Sequence, residues 1–218
     1  MITSDFFGAL EFFQVFSPES HGRFASAAKQ HSFQRGDLVF AEGEEADHLY
    51  VVNRGRIAIA NRNMDRESLL ALMGTGDLFG EMALFDGQGR SALARALEPS
   101  EVVSVPFSVM RAELEGDAEA LWNVVRLLVK RVRAADEALA DSVFLDVTGR
   151  TAKRLLEIAG DADEFTLPVT QEELAGMIGA SRERVNKAIA QFIRLGWMEQ
   201  HERSYRIMDR KRMTLRSS

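Results

Sequence analysis

An α+β fold is predicted for this 218-residue chain by three features. Short apolar runs broken by glycine-centred turns fill residues 33–107. One uninterrupted helical stretch follows at 117–144, and a pair of short, capped helices lies near the C-terminus. Strands segregated from helices, rather than alternating with them, point to α+β and not to α/β.

The apolar fraction of 46% is that of a soluble globular protein with a real core. No basic run followed by an apolar one opens the chain, and no stretch is long enough to span a bilayer. No membrane partner is therefore expected, and a cytoplasmic location fits. The absence of cysteine excludes disulfides, thiolate metal sites and cysteine-held iron–sulfur clusters. His21, His31, His48 and His201 are scattered without metal-ligand spacing. No nucleophile–base pair can be assembled, so neither a catalytic nor a metal residue is assigned, and the chain does not read as an enzyme. Charge is uneven: from Thr166 onward ten Lys/Arg face six Asp/Glu, although the whole chain carries −6. A basic end on an acidic chain suggests a polyanion partner.

Residues 2–30 read as helical, with Phe6, Phe7, Leu10, Phe13 and Val15 as anchors and Ser17-Pro18-Glu19 starting a helix that runs to Lys29. The runs Leu38–Phe40, Leu49–Val52, Ile57–Ile59 and Val102–Val105, set between Gly36, Gly43 and Gly55 turns, predict an antiparallel sandwich or barrel. From Asp117 to Phe144 no Pro or Gly occurs, which allows one helix of about 42 Å. Within it Leu121, Val125, Leu128, Val132, Ala135, Leu139 and Ser142 step by four and three, a heptad seam. So narrow a seam predicts a parallel two-stranded homodimer contact rather than a helix buried on its own domain. A further helix is expected from Thr148 to Ala159.

Residues 74–92 form a glycine-rich cassette between strands. Gly80-Glu81-Met82-Ala83-Leu84 predicts one helical turn whose free N–H groups suit an anion. Arg90 can neutralise that anion bidentately, and Ser91 adds a hydroxyl. Glu81 beside a phosphate makes sense if it accepts a hydrogen bond from a neighbouring hydroxyl, such as a ribose 2′-OH. The cassette resembles the cyclic nucleotide-binding domains, in particular those of the catabolite activator protein (cyclic AMP receptor protein, CRP/FNR) family. That resemblance covers nearly the whole chain, including Phe144–Arg150, which is similar to the family's hinge. It implies that Gly80, Glu81, Arg90 and Ser91 hold the ribose and cyclic phosphate.

Near the C-terminus Thr170 and Glu173 form a capping box that opens a helix from Gln171 to Ile178. Gly179 supplies a turn and Ser181 caps a second helix from Arg182 to Arg194. Leu174, Ala175, Ile178, Gly179, Ala180 and Val185 fall where two helices must cross closely, which predicts a helix-turn-helix. On the second helix Val185, Ile189 and Phe192 share one side, and Arg182, Glu183, Asn186 and Lys187 the other, within about 140°. These residue types match base-edge patterns, whereas Arg184 is placed for phosphate. Gly196-Trp197 and Ser204–Ile207 predict a hairpin wing. The resemblance implies that Arg182, Glu183 and Lys187 read a TGTGA-like half-site in double-stranded DNA. The family often has Arg where Lys187 stands, and some members have Gly where Asn186 stands.

The resemblance gives the whole architecture as an N-terminal jelly-roll-like β-roll that binds a cyclic nucleotide (1–116), a dimerisation helix and hinge (117–144), and a winged helix-turn-helix (145–218). It implies a transcription regulator with RNA polymerase as a further partner, a cyclic nucleotide effector and no covalent cofactor. Cyclic AMP is the default ligand, with cyclic GMP, a cyclic dinucleotide or no ligand dependence as alternatives. A nucleotide-binding module regulating an enzyme is more remote. Hinge alignment places Ala135 and Asp136 where a cyclic AMP receptor has Thr followed by Ser or Asn against the purine. Asp136 could pair with guanine N1–H and N2. Alternatively it is an e position, meeting Arg131 of the other helix at g in an ion pair.

Overall fold

The computed structural model describes every residue except Met1, Met64, Asp65 and Arg203. It divides into two compact units, one ending at Arg131 and the other beginning at Val132.

The first unit contains eight described strands: β1 (Lys29–Phe33), β2 (Leu38–Phe40), β3 (His48–Arg54), β4 (Ile57–Asn63), β5 (Arg66–Met73), β6 (Leu78–Phe79), β7 (Leu93–Ala96) and β8 (Ser100–Pro106). They form two antiparallel sheets, ordered β1-β8-β3-β6 and β2-β7-β4-β5. This is the expected β-roll. The continuous apolar runs of β3 and β8 have a simple cause, because their sheet is covered on both faces. Val52 and Val102 point to the second sheet with Ile57, Phe79, Ala94 and Ala96. Leu49, Val51, Val103 and Val105 point the other way, onto a layer of helices.

That layer holds α1 (Ser4–Gly8), a 3-10 turn (Glu11–Phe13), α2 (Pro18–Ala27) and, after β8, α4 (Phe107–Glu115). The one-turn α3 (Met82–Asp86) lies between β6 and β7. Ser17 accepts the Ser20 N–H at 3.1 Å, as the Ser-Pro start predicts. Phe7, Phe13, Phe16 and Phe24 are buried, with edge-on ring pairs such as Phe16–Phe24 at 5.1 Å. The expected continuation of this helix to Lys29 is corrected. It ends at Ala27, and Lys29 opens β1, opposite Ser104 of β8.

Helix α5 (Ala118–Phe144) starts one residue later than expected, because the Asp117 carboxylate accepts the N–H groups of Glu119 and Ala120. Its circumference corrects the expectation of a single narrow seam. Ala120 and Val124 are buried against the Phe-rich core, with Leu127 and Leu128 half-buried beside them. Leu121, Val125, Val132 and Leu139 stay exposed, Val132 by 59% and Leu139 by 64%. One face thus packs on its own unit and a second apolar face is left open.

The second unit contains α6 (Val147–Ala159), β9 (Glu164–Thr166), α7 (Gln171–Ile178), α8 (Arg182–Arg194), β10 (Met198–His201), β11 (Ser204–Ile207) and α9 (Arg210–Arg216). The three strands form one antiparallel sheet in the order β10-β11-β9, so the predicted wing gains a strand from the loop before α7. Leu155, Leu174, Phe192, Met198 and Met213 are its largest fully buried side chains. No described helix is long and apolar enough to cross a membrane.

Candidate functional site

The cassette is built around a glycine that cannot be replaced without collision. Gly80 has φ +75°, and a Cβ there would lie 2.8 Å from Arg90 Nη1. The chain then enters α3 with Glu81 at its N-cap, and Gly87 ends that turn at φ +67°. Arg90 is pinned through both of its backbone polar groups. Gly43 donates to the Arg90 carbonyl at 2.8 Å, and Arg90 N–H donates to the Glu44 carbonyl at 2.9 Å.

Arg90 is almost wholly buried, and among the described residues no carboxylate is hydrogen-bonded to it. Its Nη1 donates to the Gly80 carbonyl at 2.6 Å and its Nη2 to the His48 carbonyl at 2.7 Å. The guanidinium lies over the Phe40 ring at 4.2 Å and near Tyr50 at 5.4 Å. Burial pulls its pKa below the ordinary guanidinium value and pushes the Tyr50 phenol up. Arg90 Nε is buried with no partner among the described residues. Glu81 is 2% exposed. One of its oxygens accepts a charge-assisted bond from Arg131, whose other nitrogen donates to the Leu78 carbonyl at 2.6 Å. The second oxygen, Oε2, is likewise buried without a described partner.

A buried donor left open on a cation suits an anion, and a buried carboxylate oxygen left open suits a hydroxyl. Ser91 is exposed, with its hydroxyl 3.4 Å from Met82 sulfur, so both side chains remain available at the rim. The structure therefore gathers Gly80, Glu81, Met82, Arg90 and Ser91 into one cassette.

Ala135 and Asp136 are exposed residues of α5 that belong to the second unit. Asp136 has no hydrogen-bond or ion-pair partner among the described residues. Arg131, which the heptad register sets against Asp136 of a second helix, donates to Glu81 and to the Leu78 carbonyl of its own chain.

The reader at the C-terminal end follows its sequence signals closely. The Thr170 hydroxyl accepts the Glu173 N–H at 3.2 Å, and Glu173 accepts the Thr170 N–H at 2.7 Å. Gly179 turns the chain at φ +69°, and Ser181 caps α8. Leu174, Ala175, Ile178, Val185, Ile189 and Phe192 are buried between the helices. Ser181, Arg182, Glu183, Arg184 and Lys187 are exposed. Asn186 is half-buried, and its Oδ1 has no partner among the described residues. A row of exposed cations on a capped helix suits a phosphate-bearing groove.

Comparisons with known proteins agree with both halves. Residues 30–117 match the cyclic nucleotide-binding domain and residues 149–215 the Crp-like helix-turn-helix domain. The CRP-like cAMP-activated global transcriptional regulator of Mycobacterium tuberculosis is 38% identical over 213 residues, covering 94% of this chain and 95% of that protein. The chain belongs to the CRP/FNR family of transcription regulators.

The cAMP-activated global transcriptional regulator CRP of Escherichia coli is 30% identical over 174 residues, 76% of this chain and 83% of that protein. Among solved structures, a CRP/FNR-family transcriptional regulator from Thermus thermophilus matches with TM-score 0.70 and 25% identity over 87% of this chain and 98% of its own. FixK2 from Bradyrhizobium japonicum has the same fold, with TM-score 0.78 and 21% identity over 88% and 98%. Within this CRP-family chain, sequence reasoning missed Arg131 as a cassette residue. Its signal was present as the spacing Ala120, Val124, Leu127, Arg131, a second stripe at steps of four and three. Among the described residues no cluster of His, Cys, Asp or Glu could hold a metal ion.

Proposed function

We propose that this regulator is a homodimer that takes up cyclic AMP and then binds a palindromic DNA site with TGTGA-like half-sites. The observation that carries the ligand half is the pair of unused buried atoms, Arg90 Nε and Glu81 Oε2, in one cassette. Arg90 and the Ser91 hydroxyl take the cyclic phosphate, and Glu81, held by Arg131, takes the ribose 2′-OH. Relatives named as cAMP-activated support cyclic AMP as that ligand.

The open apolar face of α5 supports the dimer. Leu121, Val125, Val132 and Leu139 are exposed in the single chain, and burying such residues against a second α5 is favourable by about 25 cal/mol per Å² of apolar surface. Residues 1–116 then form the ligand domain, 117–144 the dimer helix and hinge, and 145–218 the DNA-binding domain. Nucleotide binding beside α5 shifts a conformational population, firming the helix near Ala135–Ser142 and fixing the Phe144–Val147 hinge. Two α8 helices then sit one DNA turn apart, about 34 Å. Arg182, Glu183, Asn186 and Lys187 read bases while Arg184 and Ser181 anchor phosphate. A DNA target fits a cytoplasmic location, with RNA polymerase as the downstream partner.

Purine choice falls to Ala135 and Asp136. Ala135 has no polar group to offer adenine, and the Arg131 that could pair with Asp136 across the dimer already bonds Glu81 of its own chain. Guanine, through N1–H and N2, is the competitor. Calorimetric titration with a panel of cyclic mono- and dinucleotides tests the proposal. Saturable binding of cyclic AMP at one site per chain supports it, and no heat with any cyclic nucleotide removes it.

A further inference from the structure

The junction between α5 and α6 is fastened from three directions, all within the second unit. Lys153 of α6 reaches Asp141 in the last turn of α5, at 2.6 Å. Arg150, one turn earlier on α6, donates to the Leu145 carbonyl at 2.7 Å and to the Ile178 carbonyl at the end of α7, at 3.0 Å. The third fastening comes from the far end of the chain. Arg216, in the last turn of α9, forms a charge-assisted pair with both carboxylate oxygens of Asp146. Asp146 is also the N-cap of α6, accepting the Gly149 N–H at 2.8 Å. Contact between α9 and this corner is close: a Cβ at Gly149 would lie 2.9 Å from Arg216 Nη1 and 3.0 Å from the Arg216 carbonyl.

We propose that Arg216 is a positioning residue for DNA recognition, with α9 clamping the α5–α6 junction through Asp146 so that movement of α5 reaches α7 and α8 instead of being absorbed at the joint. Arg150 supplies the onward link, since it ties the same corner to the C-terminal carbonyl of the first helix of the helix-turn-helix. The Gly149 N–H and the Arg216 guanidinium together hold the Asp146 carboxyl below its usual range, as expected for an anion engaged by both. Nothing local in the sequence marks the pair, because its members are 70 residues apart.

The inference rests on the proposed nucleotide response, and one experiment separates the two. DNA affinity of the full-length protein is measured by fluorescence anisotropy with and without saturating cyclic AMP, for wild type, Arg216→Gln, Arg216→Lys, Asp146→Asn and the Arg216→Gln/Asp146→Asn double variant. Asparagine keeps the α6 cap while removing the charge, so Asp146→Asn tests the pair rather than the helix. The ratio of the two affinities should fall by about fivefold in Arg216→Gln, a loss within the usual range of allosteric coupling. It should fall equally in Asp146→Asn and no further in the double variant. Arg216→Lys should recover part of the ratio. Cyclic AMP affinity without DNA should stay at the wild-type value throughout. A wild-type ratio near one removes the nucleotide response itself. A normal wild-type ratio that Arg216→Gln and Asp146→Asn leave unchanged overturns the clamp, as do additive effects in the double variant.

Discussion

Replacing Arg131 by alanine isolates its pair with Glu81, the carboxylate proposed to take the ribose hydroxyl. Glu81 is 2% exposed and Arg131 31% exposed. Removing one partner of a fully buried pair costs about 3–5 kcal/mol, because the other charge is left without compensation. An exposed pair is worth about 0–1 kcal/mol. Arg131 is a third open to solvent, so Arg131→Ala should fall between these limits, at about 2 kcal/mol. For a unit of this size that lowers the melting midpoint by about 6 °C. Glu81→Gln in the same background removes the stranded charge, so the double variant should be more stable than Arg131→Ala alone. Cyclic nucleotide affinity should fall at least about tenfold in both, equivalent to about 1.4 kcal/mol. Scanning calorimetry across the four-member cycle, paired with titration calorimetry, gives both numbers. A double variant no more stable than Arg131→Ala, or a coupling below about 0.5 kcal/mol, would refute the pairing as a stabilising contact.

The other predictions test the remaining parts separately. Arg90→Ala should abolish nucleotide binding in titration calorimetry while circular dichroism shows the fold intact; unchanged affinity would remove the cassette as the ligand site. Arg182→Ala should cost about 1–3 kcal/mol and relax preference at one guanine, whereas Arg184→Ala should weaken all sequences alike and reduce the salt slope by about one. Anisotropy against specific and random duplexes separates the two outcomes. Val132→Asp, placed in the open face of α5, should shift sedimentation from dimer to monomer; a dimer as tight as wild type would put the subunit contact elsewhere. Asp136→Ser should gain cyclic AMP affinity and lose cyclic GMP affinity in competition titration if Asp136 reads guanine, and change neither if it is a surface charge.

The parts visible in the sequence are those decided by local chemistry. The Thr170/Glu173 capping box, the Gly179 turn and the Ser181 cap each involve residues within five positions of one another, and each is present as predicted. Strands β3 and β8 announced themselves because both faces are buried and the sequence is apolar without alternation. Strand β1 did not, since Lys29-Gln30-His31-Ser32-Phe33 is mostly polar and its existence depends on pairing with β8. Helix α9 was also missed, because Met213 is its only buried residue and the remainder carries no periodic signal. Within the cassette, Gly80, Glu81, Arg90 and Ser91 sit close in sequence and could be read together. The stripe on α5 marks Arg131 as inward-facing, but its partner Glu81 lies 50 residues away and only the fold brings the two together. The same limit applies to α5. Its seam was readable, but the division into one face packed on its own unit and one left open required the tertiary structure.

Nucleotide binding in the Glu81–Arg90 cassette is proposed to control DNA binding by α8. Its most direct test is the affinity of the full-length protein for a duplex carrying two TGTGA-like half-sites one helical turn apart, measured at fixed salt with and without cyclic AMP. Affinity should rise about tenfold or more with the nucleotide in wild type and not at all in Arg90→Ala. Equal affinity in the presence and absence of cyclic AMP, in a wild-type protein that binds the nucleotide, would contradict it.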